Sequence, residues 1–80
     1  MRLDKYLKVS RIIKRRTVAN EACDSEYVNV NGRRAKASYE VKEGDIIEIC
    51  FGKRTLKLKV LTVADNVAKA DAQSMYEIIE

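Results

Sequence analysis

The first ten residues alternate between apolar and polar positions at the spacing of an amphipathic α-helix. A helix over residues 2–10 would place the following side chains on one face: Leu3, Tyr6, Leu7 and Ser10. Lys5 and Lys8 fall outside that face. Asp4 lies in the first turn, where a carboxylate suits the positive end of the helix dipole. The pattern therefore predicts a short helix with one apolar face.

A second short helix is predicted from Thr17, a good N-cap residue, to about Asp24. Its inward positions would be Val18, Ala19, Ala22 and Cys23. Ile12 and Ile13 anchor the connection between the two helices. Helices this short do not persist alone in water, so both must pack against another layer.

Alternation with a period of two residues predicts that this layer is a sheet. Residues 27–30 alternate and lead into Asn31-Gly32, a strong hairpin signal that requires positive φ at both turn positions. Gly44-Asp45 marks a further turn before a strand at 46–51. In that strand, one face would carry Ile47, Ile49 and Phe51.

The next strand is predicted from Arg54 to about Val63, after a two-residue turn at Gly52-Lys53. Its apolar positions, which alternate with Lys57 and Lys59, are Leu56, Leu58 and Val60. This pattern is typical of a strand with one face in the core and one in solvent.

The final segment, from Ala64 onward, is acidic and favours a short helix around residues 71–76. We expect Tyr76, Ile78 and Ile79 to pack back on the rest of the chain. The order of elements predicts an α+β domain in which two short N-terminal helices pack on a small, mostly antiparallel sheet and a short C-terminal helix follows.

Composition narrows the class of protein. Eighty residues with 46% hydrophobic side chains form one domain with a thin core. No apolar run is long enough to span a bilayer and the N-terminus lacks a signal-peptide core, so we expect a cytoplasmic protein with no membrane contact. Cys23 and Cys50 are far apart and histidine is absent, which excludes CxxC redox chemistry and most zinc sites. We expect two buried thiols, and neither a metal nor a cofactor.

The sequence offers little for catalysis. There is no histidine for acid–base work, no GxxxxGK[ST] phosphate loop and no carboxylate pair beside a pocket-forming motif. For Asp4, a role at the helix start or in a salt bridge is favoured over a catalytic one. We therefore expect a protein that is not an enzyme.

Charge along the chain is strongly asymmetric. Residues 1–16 carry a net charge of +6 and the other 64 residues a net charge of −2. Only Asp4 opposes the basic side chains of the first segment, which are Arg2, Lys5, Lys8, Arg11, Lys14, Arg15 and Arg16. A concentrated basic patch attracts polyanions such as RNA, although many charge runs are only solvated helix faces.

Four ordered blocks of sequence resemble the RNA-binding domain named after small-subunit ribosomal protein S4. The blocks are RLDKYL at 2–7, KRRTVA at 14–19, VNVNG at 28–32 and GDII at 44–47. Together with the FG hairpin and the MYE segment near the C-terminus, they also resemble the short bacterial heat-shock-fifteen-like proteins, especially the members that act in ribosome-associated quality control. This implies an RNA-binding domain with the alpha-L motif at 1–62, followed by a C-terminal extension at 63–80 with a short helix.

The resemblance implies partners and site residues. The partners would be rRNA and tRNA on a large ribosomal subunit that carries an obstructed peptidyl-tRNA, and a factor that adds C-terminal alanine tails to the stalled chain. A monomer is expected. The matching positions for RNA contact are Arg2, Arg15, Arg16 and Thr17. The charge pattern adds Lys5, Lys8, Arg11 and Lys14.

One position departs from the family pattern. Aligning on Asn31-Gly32 puts Glu26 where the family usually has a glycine. Either Glu26 carries backbone strain or the loop at 24–25 has rearranged, and its carboxylate weakens the local positive potential.

Two other functions are compatible with these features. The chain could be a heat-shock-type factor in ribosome recycling, or a protein–protein module whose basic helix meets an acidic partner. Its few aromatic residues form no cluster in the sequence, which argues against a reader of single-stranded RNA.

Overall fold

Two helices pack on one five-stranded sheet in the computed structural model, which describes residues 1–25, 27–51, 53–64 and 69–79. The elements are α1 (Leu3–Val9), α2 (Arg16–Asp24), β1 (Val28–Val30), β2 (Arg33–Arg34), β3 (Ile46–Phe51), β4 (Arg54–Val60), a 3₁₀ helix (Lys69–Met75) and β5 (Tyr76–Ile78). The strand order is β2-β1-β3-β4-β5 and each described pair is antiparallel. The predicted α+β class is confirmed. Within the described residues, no helix combines the length and apolar character that crossing a membrane requires.

The predicted apolar face of α1 is confirmed. Leu3, Tyr6 and Leu7 are fully buried, and Ser10 is 1% exposed. The Tyr6 hydroxyl donates a hydrogen bond of 2.8 Å to the carbonyl oxygen of Met75, which ties the middle of α1 to the C-terminal segment. A buried tyrosine needs such a partner because an unpaired hydroxyl in the core is costly.

The start of α2 differs from the prediction. The helix begins at Arg16, and Arg15, not Thr17, occupies the N-cap position without a side-chain cap hydrogen bond. Ala19 and Cys23 are buried as predicted, but Val18 is 47% exposed. An i, i+4 pair of small side chains gives α2 only a narrow contact face, and Val18 lies about 100° away from Ala19 around the helix.

The hairpin at Asn31-Gly32 has the predicted backbone conformation, with φ of 53° and 80°. The Asn31 side chain also holds the turn against β3. Its amide nitrogen donates to Oδ1 of Asp45 over 3.1 Å, and its oxygen accepts from the backbone N–H of Ile46 over 2.9 Å. Turn conformation and side-chain bonding therefore fix the β1–β2 hairpin on the sheet.

The central strands β3 and β4 supply the sheet side of the core. Ile47 pairs with Leu58 across the strands, and both are fully buried. Their partners on the same face, Ile49 and Val60, are 1% exposed. β4 ends at Val60, short of the predicted end near Val63. The N–H groups of Leu61 and Thr62 both donate to the carbonyl oxygen of Met75, which breaks the alternation of a regular strand pair. The predictions for Glu26, for the turn at Gly52 and for the side chain of Phe51 lie outside what the structure describes.

The C-terminal segment packs back on the domain as predicted for Tyr76, which lies half-buried against the core, but not as predicted for Ile78 and Ile79. Ala72 and Met75 are buried in the 3₁₀ helix, whereas Ile78 and Ile79 are 50% and 42% exposed. Residues 76–78 form β5, an unpredicted edge strand that pairs with β4. The segment 69–79 is thus a 3₁₀ helix followed by a strand, in place of an α-helix over 71–76.

A buried carboxylate joins the two helices. The Asp4 side chain, in the first turn of α1, is 2% exposed. It accepts a hydrogen bond of 2.8 Å from the backbone N–H of Lys5 and one of 3.2 Å from the Asn20 amide in α2. Burial alone would raise the pKa of Asp4, but the hydrogen bonds from Asn20, Arg2 and Lys5 outweigh it and hold that pKa below its ordinary value of 3.8.

We expect Asp4→Asn to lower the free energy of unfolding by about 2 kcal/mol near neutral pH, because an amide cannot replace a charged acceptor. The folded-state pKa is depressed, so the carboxylate contributes fully above the unfolded-state pKa of 3.8 and its contribution is lost as pH falls through the lower folded value. Urea unfolding of both proteins across this range measures the difference. A gap between them that stays constant well below the folded pKa would contradict the role of the charge.

Candidate nucleic-acid interface

The starts of α1 and α2 lie side by side. The connection between the helices folds back along α1, since the N–H of Ile13 donates to the carbonyl oxygen of Leu7 over 3.0 Å and the Ile13 side chain is buried. α2 therefore begins beside the N-terminal end of α1. A shallow cleft between the two ends is lined by Arg2, Asp4, Arg16, Thr17, Asn20 and Glu21.

Two arginines are held in this cleft by one carboxylate. Nε of Arg2 lies 3.1 Å from Oδ1 of Asp4, and Nε of Arg16 lies 3.5 Å from Oδ2. The arginine side chains are 48% and 49% exposed, whereas the carboxylate between them is buried. Arg2 precedes α1 and Arg16 begins α2, so this contact also fixes how the helix ends meet.

This arrangement suits an anion with several oxygens. A guanidinium has five N–H donors in a planar fork. Asp4 engages Nε and Nη2 of Arg2 and Nε of Arg16, while about half of each arginine side chain remains in solvent. Phosphate is the natural ligand for two such groups, because it accepts bidentate hydrogen bonds. Prior fixing of the side chains reduces the conformational entropy that binding would otherwise cost.

The cleft gathers three of the eight predicted contact residues, Arg2, Arg16 and Thr17. Lys8 lies exposed in the last turn of α1, and Lys5 is half-buried beside Asp4. The remaining three predicted residues are exposed in the connection between the helices: Arg11, Lys14 and Arg15. The basic surface therefore extends from the cleft over that connection.

Arg11 has an unusual backbone conformation. Its φ is 63°, in the left-handed region, and its N–H bonds to the carbonyl oxygen of Lys8 just after α1 ends. Glycine or asparagine is the usual residue at such a helix end, because a side chain with a Cβ costs about 1 kcal/mol there. The sequence therefore places a large cation where glycine would be more stable.

The salt-bridge role predicted for Asp4 is confirmed, but sequence reasoning missed Asn20 and Glu21 at the cleft. Asn20 is four residues after Arg16, a spacing that puts both on one face of α2. This spacing could have been recognised in the sequence. The hydrogen bond from Asn20 to Asp4, however, joins two helices, and no local pattern predicts it. Glu21 borders the cleft and lowers its positive potential.

The remaining reactive groups do not form a second site. Burial raises the pKa of the Cys23 thiol to about 12, and the nearby carboxylates of Asp4 and Asp24 act in the same direction, so this thiol is neutral at physiological pH. Cys50 is half-buried. Among the described residues, no cluster of three histidine, cysteine or acidic side chains could hold a metal ion.

Known proteins match the chain along nearly all its length. It is 58% identical to the "RQC P-site tRNA stabilizing factor" of Streptococcus pneumoniae, over 99% of this chain and 90% of that protein. It is 46% identical to the protein of the same name from Bacillus subtilis, over 100% of this chain and 93% of that one.

The fold has a solved counterpart. The trimeric structure of Vibrio cholerae heat shock protein 15 superimposes with a TM-score of 0.90 at 30% identity, covering 99% of this chain and 81% of that one. The family model of the S4 domain matches residues 1–47, which include both helices, the basic connection and the β1–β2 hairpin. The chain is therefore a member of the S4 domain family.

Proposed function

We propose that this protein binds structured RNA on the large ribosomal subunit, both rRNA and P-site tRNA, as a factor in ribosome-associated quality control. The cleft in which buried Asp4 holds Arg2 and Arg16 is the observation that carries the proposal. The relatives named for stabilising P-site tRNA support it, since the match extends over almost the whole of each chain.

Recognition would depend on RNA shape and phosphates. Arginines fixed at two adjoining helix starts can contact the backbone of a folded RNA without reading bases. Stacking of unpaired bases needs a platform of exposed aromatic rings. Tyr6 is buried, and Tyr27 is the most exposed of the described aromatic side chains, at 54%.

Within ribosome-associated quality control, the proposed role of the protein is to hold the tRNA in place. On an obstructed large subunit, a bound peptidyl-tRNA would be kept in position while a separate factor adds C-terminal alanine tails to the stalled chain. The protein would act there as a monomer in the cytoplasm and contribute binding, with no catalytic step of its own. All eight basic-surface residues, Arg2, Lys5, Lys8, Arg11, Lys14, Arg15, Arg16 and Thr17, are proposed as RNA contacts.

Two other functions make different predictions. A heat-shock-type recycling factor, suggested by the similarity to heat shock protein 15, would bind large subunits with peptidyl-tRNA but leave alanine tailing unchanged when deleted. A module for an acidic protein partner would not co-sediment with large ribosomal subunits. Sedimentation of an extract, with tail length measured in the presence and absence of the protein, separates the three.

We expect Arg16→Ala to weaken binding to large subunits carrying peptidyl-tRNA by about tenfold, because one charged contact with phosphate is lost. The slope of log affinity against log salt concentration should become shallower by about 1. Lys59→Ala, which removes one exposed charge from β4, is the matched control. Equal binding by Arg16→Ala and wild type at every salt concentration would remove Arg16 from the interface.

Asp4→Asn provides a sharper test of the cleft. The change raises the net charge by one and would strengthen attraction to RNA if only bulk charge mattered. We expect weaker binding instead, by about fivefold, because Arg2 and Arg16 lose the acceptor that holds them. Affinity is to be measured where circular dichroism shows the variant folded. Tighter binding than wild type would contradict the positioning role.

Arg11→Gly should separate stability from binding. Glycine adopts the left-handed conformation without a Cβ penalty, so we expect the free energy of unfolding to rise by about 0.5–1 kcal/mol. Loss of the charge should weaken RNA binding by about threefold and make the salt slope shallower by about 1. Arg11→Lys, which keeps the charge and the strain, serves as control. A glycine variant that binds as tightly as wild type would show that Arg11 is outside the interface.

A further inference from the structure

A second basic surface lies on the β1–β2 hairpin, outside the helical cleft. Residues 27–39 contain three basic side chains, Arg33, Arg34 and Lys36, and no acidic one. All three are exposed. Two acidic side chains adjoin this segment and both are engaged. Asp45 is buried and bonded to Asn31 and Tyr39, and Glu40 pairs with the N-terminal amine of Met1, so the exposed charge of residues 27–39 is positive.

The hairpin presents its arginines from a rigid backbone. Arg33 pairs with Val30 and Arg34 with Asn29, so the two side chains leave opposite faces of the edge strand β2. The turn that precedes them is fixed by positive φ at Asn31 and Gly32 and by the bonds from Asn31 to β3. A cleft beside the edge is lined by Val30, Asn31, Arg33, Arg34, Ala35 and Tyr39.

The segment after the hairpin connects this surface to the first cleft. The N–H groups of Leu3 and Asp4, at the start of α1, donate to the carbonyl oxygens of Tyr39 and Ala37 over 2.8 and 3.2 Å. Lys36 adjoins Ala37 in the chain. Three residues span at most about 11 Å, so the backbone of Arg34 is within that distance of Ala37.

We infer that Arg33, Arg34 and Lys36 form a second binding surface for the phosphate backbone of the same RNA that the helical cleft contacts. This inference rests on the proposed function and adds a contact region to it. An RNA seated on Arg2 and Arg16 continues past the start of α1 onto the hairpin, where cations on both faces of the edge reach its phosphates. The acidic C-terminal strand β5 lies at the opposite edge of the sheet.

Charged side chains on an edge strand also have a simpler use, since they prevent edge-to-edge pairing with another chain. Charge of either sign would serve that use, and a neighbouring basic cleft would not be needed for it. The hairpin carries one sign only and adjoins the helical site, which favours phosphate binding. The two roles differ in what they predict for affinity.

The test compares the double variant Arg33→Gln/Arg34→Gln with Lys57→Gln/Lys59→Gln on β4, which removes the same charge from a strand separated from β2 by β1 and β3. The probe is the large ribosomal subunit carrying peptidyl-tRNA, titrated at several salt concentrations. We expect the hairpin variant to bind about tenfold more weakly, with a salt slope shallower by about 2, and the β4 variant to stay within about twofold of wild type. Arg33→Lys/Arg34→Lys should retain most of the affinity.

Unchanged binding by the hairpin variant, or an equal loss in the β4 variant, overturns the inference. If Arg33→Gln/Arg34→Gln does not fold, Lys36→Gln gives the same comparison against Lys59→Gln alone, with a slope change of about 1. Failure of wild type to bind the subunit would instead overturn the proposed function, so the two failures are distinguishable.

Discussion

The burial of the Asp4 carboxylate is the constraint on which both the fold and the site depend. A buried charge costs several kcal/mol unless it is paired and hydrogen-bonded. Asp4 meets that requirement only where the start of α1 and the start of α2 come together, because its partners are Arg2, the N–H of Lys5, Arg16 and Asn20. The contact that satisfies the acid also orients the two arginines. The same contacts thus pack the two helix starts together and form the cleft between them.

The strand order places the basic strand β2 and the acidic strand β5 at opposite edges of the sheet. The helix starts, the segment 35–41 and the basic strand β2 lie together at one edge of the sheet, while Glu77 lies in β5 at the other. The longest dimension of the protein is 28 Å, about 3.5 Debye lengths at physiological salt, so exposed charges at one edge are largely screened from those at the other. Acidic residues near the basic surface would weaken its attraction for RNA. Some acidic side chains do lie beside it, since Glu21 borders the helical cleft and Glu40 forms a β-bridge with Arg2 and an ion pair with the N-terminal amine of Met1.

Local periodicity predicted the elements that have one apolar and one polar face. The remaining elements and boundaries are determined by tertiary contacts, which the sequence pattern does not show. The buried face of α1, the Asn31-Gly32 turn and the alternation in β3 and β4 follow from residue spacing. The start of α2 does not, because Arg16 is drawn into the helix by its contact with Asp4 and no side chain caps it. β5 is three residues long and forms by pairing with β4, so its sequence carries too few alternations to predict it. The sequence predicted part of the cleft, since charge identified Arg2 and Arg16 and a salt bridge was favoured for Asp4, but the amide of Asn20 was not predicted.

Five arginines of the two basic surfaces are constrained by their surroundings, through either a side-chain contact or the backbone conformation. Arg2 and Arg16 are held by a buried carboxylate, Arg33 and Arg34 follow a turn with two positive φ angles, and Arg11 itself adopts a left-handed conformation. The carboxylate orders the side chains of Arg2 and Arg16, whose free rotation would otherwise oppose binding by up to about 2 kcal/mol each, whereas the backbone geometry fixes only where the side chains of the other three arginines begin. A small domain with a thin core has little stability to spare, so strain at Arg11 and a buried charge at Asp4 are costly features to keep. The buried charge holds two guanidinium groups in place before a ligand arrives, and this preorganisation lowers the entropic cost of the phosphate contacts proposed for this protein.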